Sequence, residues 1–234
     1  MREVFHEVER LSLYLYILGS GCLSHFQIKK AIMVNGLSSL RYWFKRSMVF
    51  MRRFPHSRGF GIQSPSAYRF DREVINDHHP YHAYADLQHA FPHEDRLTLK
   101  LARLYFRIAN ATQARQWALC TNRNDVYCAY VQAGCRTAIL VDGDEVGEVD
   151  KVAASDVLVM TMEDDRWPMC EAFVSRAHER SMLIVEEIYA SKKAKVWWKE
   201  LINDARTGVA FDLYDCGIIF FDHTKSKQVY IINF

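Results

Sequence analysis

Four short polar stretches in the second half of the sequence each follow an apolar run, and each carries side chains that can do chemistry. They are Thr121-Asn122-Arg123-Asn124, Asp142-Gly143-Asp144, Glu163-Asp164-Asp165 and Glu186-Glu187. A carboxylate such as Asp142 at the tip of a strand can accept two hydrogen bonds from a ribose diol. Asp-Gly-Asp is equally an ordinary turn signature. Glu163, Asp164, Glu186 and Glu187 would form an oxygen-rich site suited to Mg²⁺ or Ca²⁺ if their strands were neighbours. The same acids serve as well at the starts of the following helices, where the dipole favours negative charge. The first stretch, Thr121 to Asn124, contains no glycine. Phosphate and nucleotide loops in this position use glycine so that the backbone can approach the ligand. Asn122 and Asn124 tolerate a left-handed backbone, so a tight turn remains open while close approach is harder.

The elements that must position these residues alternate in type. Apolar runs at 115–121, 137–142, 156–162 and 182–185 predict strands, and periodic segments at 125–133 and 167–179 predict helices between them. Such alternation means βαβ units and a doubly wound, Rossmann-like, mostly parallel sheet, whose ligands sit outside the carboxyl ends of the strands. A helical run through Val196–Leu201 follows the fourth strand. The chain then returns through 209–221, Asp222-His223-Thr224-Lys225-Ser226 and 227–234, predicting a C-terminal antiparallel hairpin with 222–226 as its turn. Gly134 is expected as the C′ residue of the 125–133 helix. Ser64-Pro65 reads as a helix start leading to about Asp77, and a strongly amphipathic helix runs from Asp95 to about Ala111. Residues 1–50 read as an N-terminal helical extension, 51–112 as a helical lead-in packed on the sheet, and 113–234 as the sheet domain.

Composition narrows the function. The chain has 234 residues, half of them hydrophobic, and a net charge of +2, which makes no electrostatic case for nucleic acid. No apolar run is long enough to span a bilayer. The stretch Leu11 to Cys22 resembles a signal core, but Glu3, Glu7 and Glu9 precede it where positive charge is required. The six cysteines form no C-x-x-C pair, and several fall in apolar patterns, so reduced thiols and a cytoplasmic location are expected. The early basic residues, Arg41 to Arg58, read as a solvated face or a phosphate patch. His89 and His93 have helical spacing, but Pro92 interrupts it, and no cysteine completes a zinc set.

One group of sequences shares these landmarks. Gly59-Phe60-Gly61-Ile62-Gln63-Ser64-Pro65, Pro80-Tyr81-His82-Ala83-Tyr84 and Leu104-Tyr105-Phe106-Arg107-Ile108 resemble segments of a class I S-adenosylmethionine-dependent methyltransferase-like family of Bacteroidetes. So do Val185-Glu186-Glu187-Ile188-Tyr189-Ala190-Ser191, Trp198 and the run from Asp212 to Phe221. The resemblance covers about Arg41 to Phe234. It implies S-adenosylmethionine as the cofactor, with Thr121, Asn122, Asn124 and Asp142 as its contacts; in an active enzyme Glu186 or Asp164 would be the catalytic group, acting as base or as metal ligand, and no metal site is assigned. The sequence departs from the family at Ala118 to Asn124, which has lost an acid and two glycines. It also departs between Asp142 and Ser155, where there is little room for the usual further helix and strand. Both departures fall on cofactor binding. The expectation is therefore a methyltransferase-like protein with weakened or lost cofactor binding, acting as a binding or scaffold module for a small molecule or protein. The alternatives are an active methyltransferase modifying an O or N of a small acceptor, and a membrane-surface protein using the N-terminal helices.

Overall fold

A computed structural model describes residues 47–56, 59–143 and 149–234, so the expected helices before residue 47 and the acid Asp144 lie outside the described residues. The chain divides into two compact units, 1–52 and 53–234. In the first, residues 47–52 are helical. The second holds the sheet.

Among the described residues its strands are β1 (Gln116–Cys120), β2 (Ile139–Asp142), β3 (Val157–Thr161), β4 (Met182–Glu186), β5 (Ala210–Asp212), β6 (Cys216–Phe220) and β7 (Val229–Ile231). Their order is β2-β1-β3-β4-β6-β5-β7. The pairs β1–β2, β1–β3, β3–β4 and β5–β7 are parallel; β6 runs antiparallel to both β4 and β5. This is the expected mostly parallel α/β sheet. The helices are α1 (Pro65–Phe70), α2 (Ala83–Ala90), α3 (Arg96–Thr112), α4 (Asn124–Gly134), α5 (Val149–Ala153), α6 (Trp167–Arg176) and α7 (Lys192–Asn203). A π-helical turn, Asp71–Ile75, extends α1.

Both faces of the sheet are covered, which explains why its strands are apolar without alternation. Trp117, Leu119, Val159 and Ile184 pack against α3 and α4 on one face. Ala118, Cys120, Leu158 and Leu183 meet α6 and α7 on the other, against Phe173, Trp198 and Leu201. Each such large apolar side chain stabilises the fold by about 1.5–3 kcal/mol. Side-chain caps start three helices. Asp95 accepts from Leu97 N (2.8 Å) and Thr98 N (3.0 Å), Ser191 from Ala194 N (2.9 Å), and Ser64 from Ala67 N (3.4 Å).

Two expectations are corrected. The antiparallel hairpin is β5–β6, turned by Leu213-Tyr214-Asp215, and residues 222–226 instead carry the chain past β5 to β7. Gly134 is the last residue of α4 rather than a left-handed C′ residue. A Cβ there would lie 2.4 Å from the Phe106 carbonyl oxygen, so this glycine lets α4 approach α3. Between β2 and β3 only the five-residue α5 is described, and among the described residues β2 pairs with β1 alone.

Candidate functional site

The switch point of the sheet lies at β1, which has β2 on one side and β3 on the other. The loop after β1 is held by one side chain. Asn124 Oδ1 accepts from the Thr121 amide (3.0 Å) and the Thr121 hydroxyl (2.9 Å). Its Nδ2 donates to the Leu119 carbonyl (3.1 Å) and to Asp142 Oδ1 (3.0 Å). The Thr121 hydroxyl also accepts from the Arg123 amide at 3.2 Å. The turn therefore closes without glycine because asparagine supplies main-chain-like partners. Gly143, after β2, donates to the Leu119 carbonyl at 2.9 Å, and a Cβ on it would collide with Cys120 Sγ.

Arg166, in the 3₁₀ turn Asp164–Arg166, is buried and donates to the Cys120 carbonyl. It also reaches Asn122 Oδ1 (3.5 Å) and Glu163 Oε2 (3.8 Å). Asn122 in turn lies 3.5 Å from Glu163 Oε1. Beside this loop is an open cleft of ≈ 470 Å³ lined by residues 121–126, Phe91 and Glu94.

Glu186 occupies a different environment at the end of β4. Its register partners are Thr161 on β3 and Cys216 on β6. The carboxyl is buried on the α3–α4 face, where the Tyr105 hydroxyl donates to Oε1 at 2.5 Å. Burial pushes its pKa up to about 7; hydrogen bonds from Tyr105 and Tyr127 act the other way without cancelling the desolvation. The two phenol rings meet edge to face, 4.8 Å between centroids. Burial and then the Glu186 charge hold the Tyr105 hydroxyl well above its ordinary pKa, and burial does the same to the Cys216 thiol. Glu187, one residue on, is exposed and adopts φ +59.

Of the sequence-derived candidates, Thr121, Asn122, Asn124 and Asp142 come together around the first loop, and Glu186 stands apart among tyrosines. Asp164 opens the 3₁₀ turn that carries Arg166. Among the described residues no three acids, histidines or cysteines converge as a metal site requires. The five described cysteines are free thiols. Tyr105, Tyr127 and Arg166 do not stand out in the sequence as site residues. Tyrosines at buried positions of two neighbouring helices were the available signal, since a buried phenol needs an acceptor.

No protein-family model matches the chain, and no curated protein does. Solved structures similar to the chain include the SAH-bound Podospora anserina methyltransferase PaMTH1, with 9% identity over 68% of this chain and 97% of that one and a TM-score of 0.48. Cofactor-bound Rv0187 from MTB aligns with 10% identity over 68% of this chain and 99% of its own, with a TM-score of 0.44. The MycE methyltransferase of the mycinamycin biosynthetic pathway, in complex with Mg and SAH, aligns with 10% identity over 59% of this chain and 48% of its own, with a TM-score of 0.41. Among the described residues no helix is long and apolar enough to cross a membrane.

Proposed function

We propose that the chain is a class I S-adenosylmethionine-dependent methyltransferase-like protein of the Bacteroidetes type that its sequence resembles. In this reading it holds the methyl donor weakly at the carboxyl ends of β1 and β2. It works in the cytoplasm as a binding or scaffold module for a small molecule or a protein. Thr121, Asn122, Asn124 and Asp142 are the donor contacts.

The Asn124 side chain carries this reading. It spans Thr121, the Leu119 carbonyl and Asp142, so a ribose diol reaching Asp142 meets an Oδ1 that already accepts from Asn124. Arg166 likewise takes the Cys120 carbonyl, and the loop 121–124 carries a side chain at every position in place of glycine. Ligand binding that must first displace internal hydrogen bonds gains only the difference between them. Isothermal titration with S-adenosylmethionine and its demethylated product is expected to give a Kd in about the millimolar range. Micromolar binding abolished by Asp142→Ala would overturn the reading.

Glu186 favours a second reading, an active methyltransferase. A carboxyl titrating near neutrality is suited to accept the proton released when an acceptor O or N takes the methyl group. The donor would supply the methyl group; this chain would supply positioning, with Glu186 or Asp164 as the proton acceptor. Product formation from labelled donor, lost in Glu186→Gln with the fold intact, is the expected sign of that activity. Turnover unchanged in Glu186→Gln would remove Glu186 from it.

A further inference from the structure

A second polar site lies on the same sheet edge, two strands from Glu186, and the methyl-donor reading does not use it. Asp212 closes β5, and its side chain is only 5% exposed. Its Oδ2 accepts from the Tyr189 hydroxyl at 2.5 Å, and its Oδ1 accepts from the Tyr214 amide at 3.0 Å. The main-chain carbonyls of Asp212 and Ile232 face the same space, because one guanidinium nitrogen reaches both, at 2.8 and 3.1 Å. Tyr189 and Tyr214 stack beside them, 5.3 Å between centroids and 17° between planes.

A buried carboxylate, two carbonyl oxygens and two aromatic faces are the partners that a planar cation seeks. Arg53 fills the site from within the chain. Its second terminal nitrogen donates to Asp212 Oδ1 at 2.7 Å, and its guanidinium carbon lies 5.3 Å from the Tyr214 ring and 5.8 Å from the Tyr189 ring. Tyr214 holds φ +74, a backbone that glycine would adopt at lower cost. A tyrosine kept there at the expense of strain places its ring against Tyr189 and beside the cation. The site thus specifies more than charge neutralisation: it reads the shape and the donors of a guanidinium group.

We propose that Asp212, Tyr189, Tyr214 and the two carbonyls form a guanidinium-recognition site, which Arg53 occupies as an internal ligand and which accepts the guanidinium of another molecule when Arg53 is displaced. The test uses full-length Arg53→Ala and follows its melting temperature against ethylguanidinium, with the neutral isostere ethylurea as control. A saturable rise with ethylguanidinium is expected in the variant, with no rise in the wild type, whose site is filled. Ethylurea is expected to produce none. By calorimetry the variant should bind ethylguanidinium at least about tenfold more tightly than the wild type, and adding Asp212→Asn should abolish the gain. Should Arg53→Ala not fold, Arg53→Gln, which keeps a polar stem, enters the same titrations. Two ligand sources are separated by comparing ethylguanidinium with a short arginine-containing peptide. Equal affinity assigns the site to small guanidino compounds, and tighter peptide binding assigns it to arginine side chains. An absence of saturable stabilisation in every folded variant, or an equal response to ethylurea, would overturn the proposal and leave Arg53 as a structural ion pair.

Discussion

The two halves of the carboxyl edge treat their polar groups in opposite ways. On the β1–β2 side, Asn124 and its neighbours satisfy one another at or near the surface, and Asp142 remains exposed. On the β4–β6–β5 side, two carboxyls are taken out of water. Asp212 is compensated by a cation, Arg53. Glu186 accepts hydrogen bonds from phenol hydroxyls, and burial pushes its pKa up to about 7. The difference teaches that two carboxyls buried on one sheet edge need not be compensated alike. At Asp212 a guanidinium supplies both an opposite charge and a fork of donors, whereas at Glu186 burial outweighs its neutral donors and pushes the pKa up.

The largest expected effect breaks the charged pair. Arg53→Ala leaves Asp212 buried without its cation and should cost about 3–5 kcal/mol in urea denaturation. A loss no larger than that of an exposed ion pair such as Arg206–Glu171, at most about 1 kcal/mol, would erase the contrast.

Glu186 comes next, with a defined sign. Its pKa rises from 4.5 to about 7 on folding, so between those values the unfolded chain holds fewer protons than the folded one. Stability from this group is fully present below about pH 4.5 and is lost as the pH rises through about 7, by about 3 kcal/mol in all. Glu186→Gln should remove that part of the pH dependence, so that the denaturation free energies of variant and wild type diverge with rising pH in favour of the variant. Parallel curves from pH 4 to 8 would contradict the assignment.

The β1 side should respond least. Asn124→Ala removes bonds to Thr121 and to Leu119 at a partly exposed turn and should cost about 1 kcal/mol. Asp142→Asn should stay within about 0.5 kcal/mol, because the residue is exposed and keeps an acceptor for Asn124. Equal losses from Asn124→Ala and Arg53→Ala would show that the two halves do not differ.

Much of the sheet was legible because its first four strands are apolar runs that end in short polar stretches, and Asp95 and Ser64 announce their helices by capping chemistry. The order of the last three strands was not. Residues 209–221 read as one run, and the turn inside it contains neither glycine nor asparagine, because Tyr214 takes the left-handed backbone itself. At the site, the loop after β1 was located from its polar residues, but Glu186 and Glu187 looked alike. Glu186, the last strand residue, turns into a tyrosine pocket, while Glu187 leaves the strand with a left-handed backbone and faces solvent, and the tyrosines come from helices distant in sequence. Arg53 was hidden for the same reason. Within a basic, turn-rich stretch it read as part of a solvated face or a phosphate patch, while its partners Asp212 and Ile232 lie 159 and 179 residues away.

The central claim, that the β1–β2 half is committed to itself and holds a methyl donor only weakly, is tested most directly by titrating the isotope-labelled protein with the demethylated cofactor and following backbone amide resonances. Fast-exchange shifts at about millimolar ligand, confined to residues 121–126 and to Asp142 and Gly143, are predicted. Slow exchange at micromolar ligand, or shifts centred on Glu186 and its tyrosines, would contradict it.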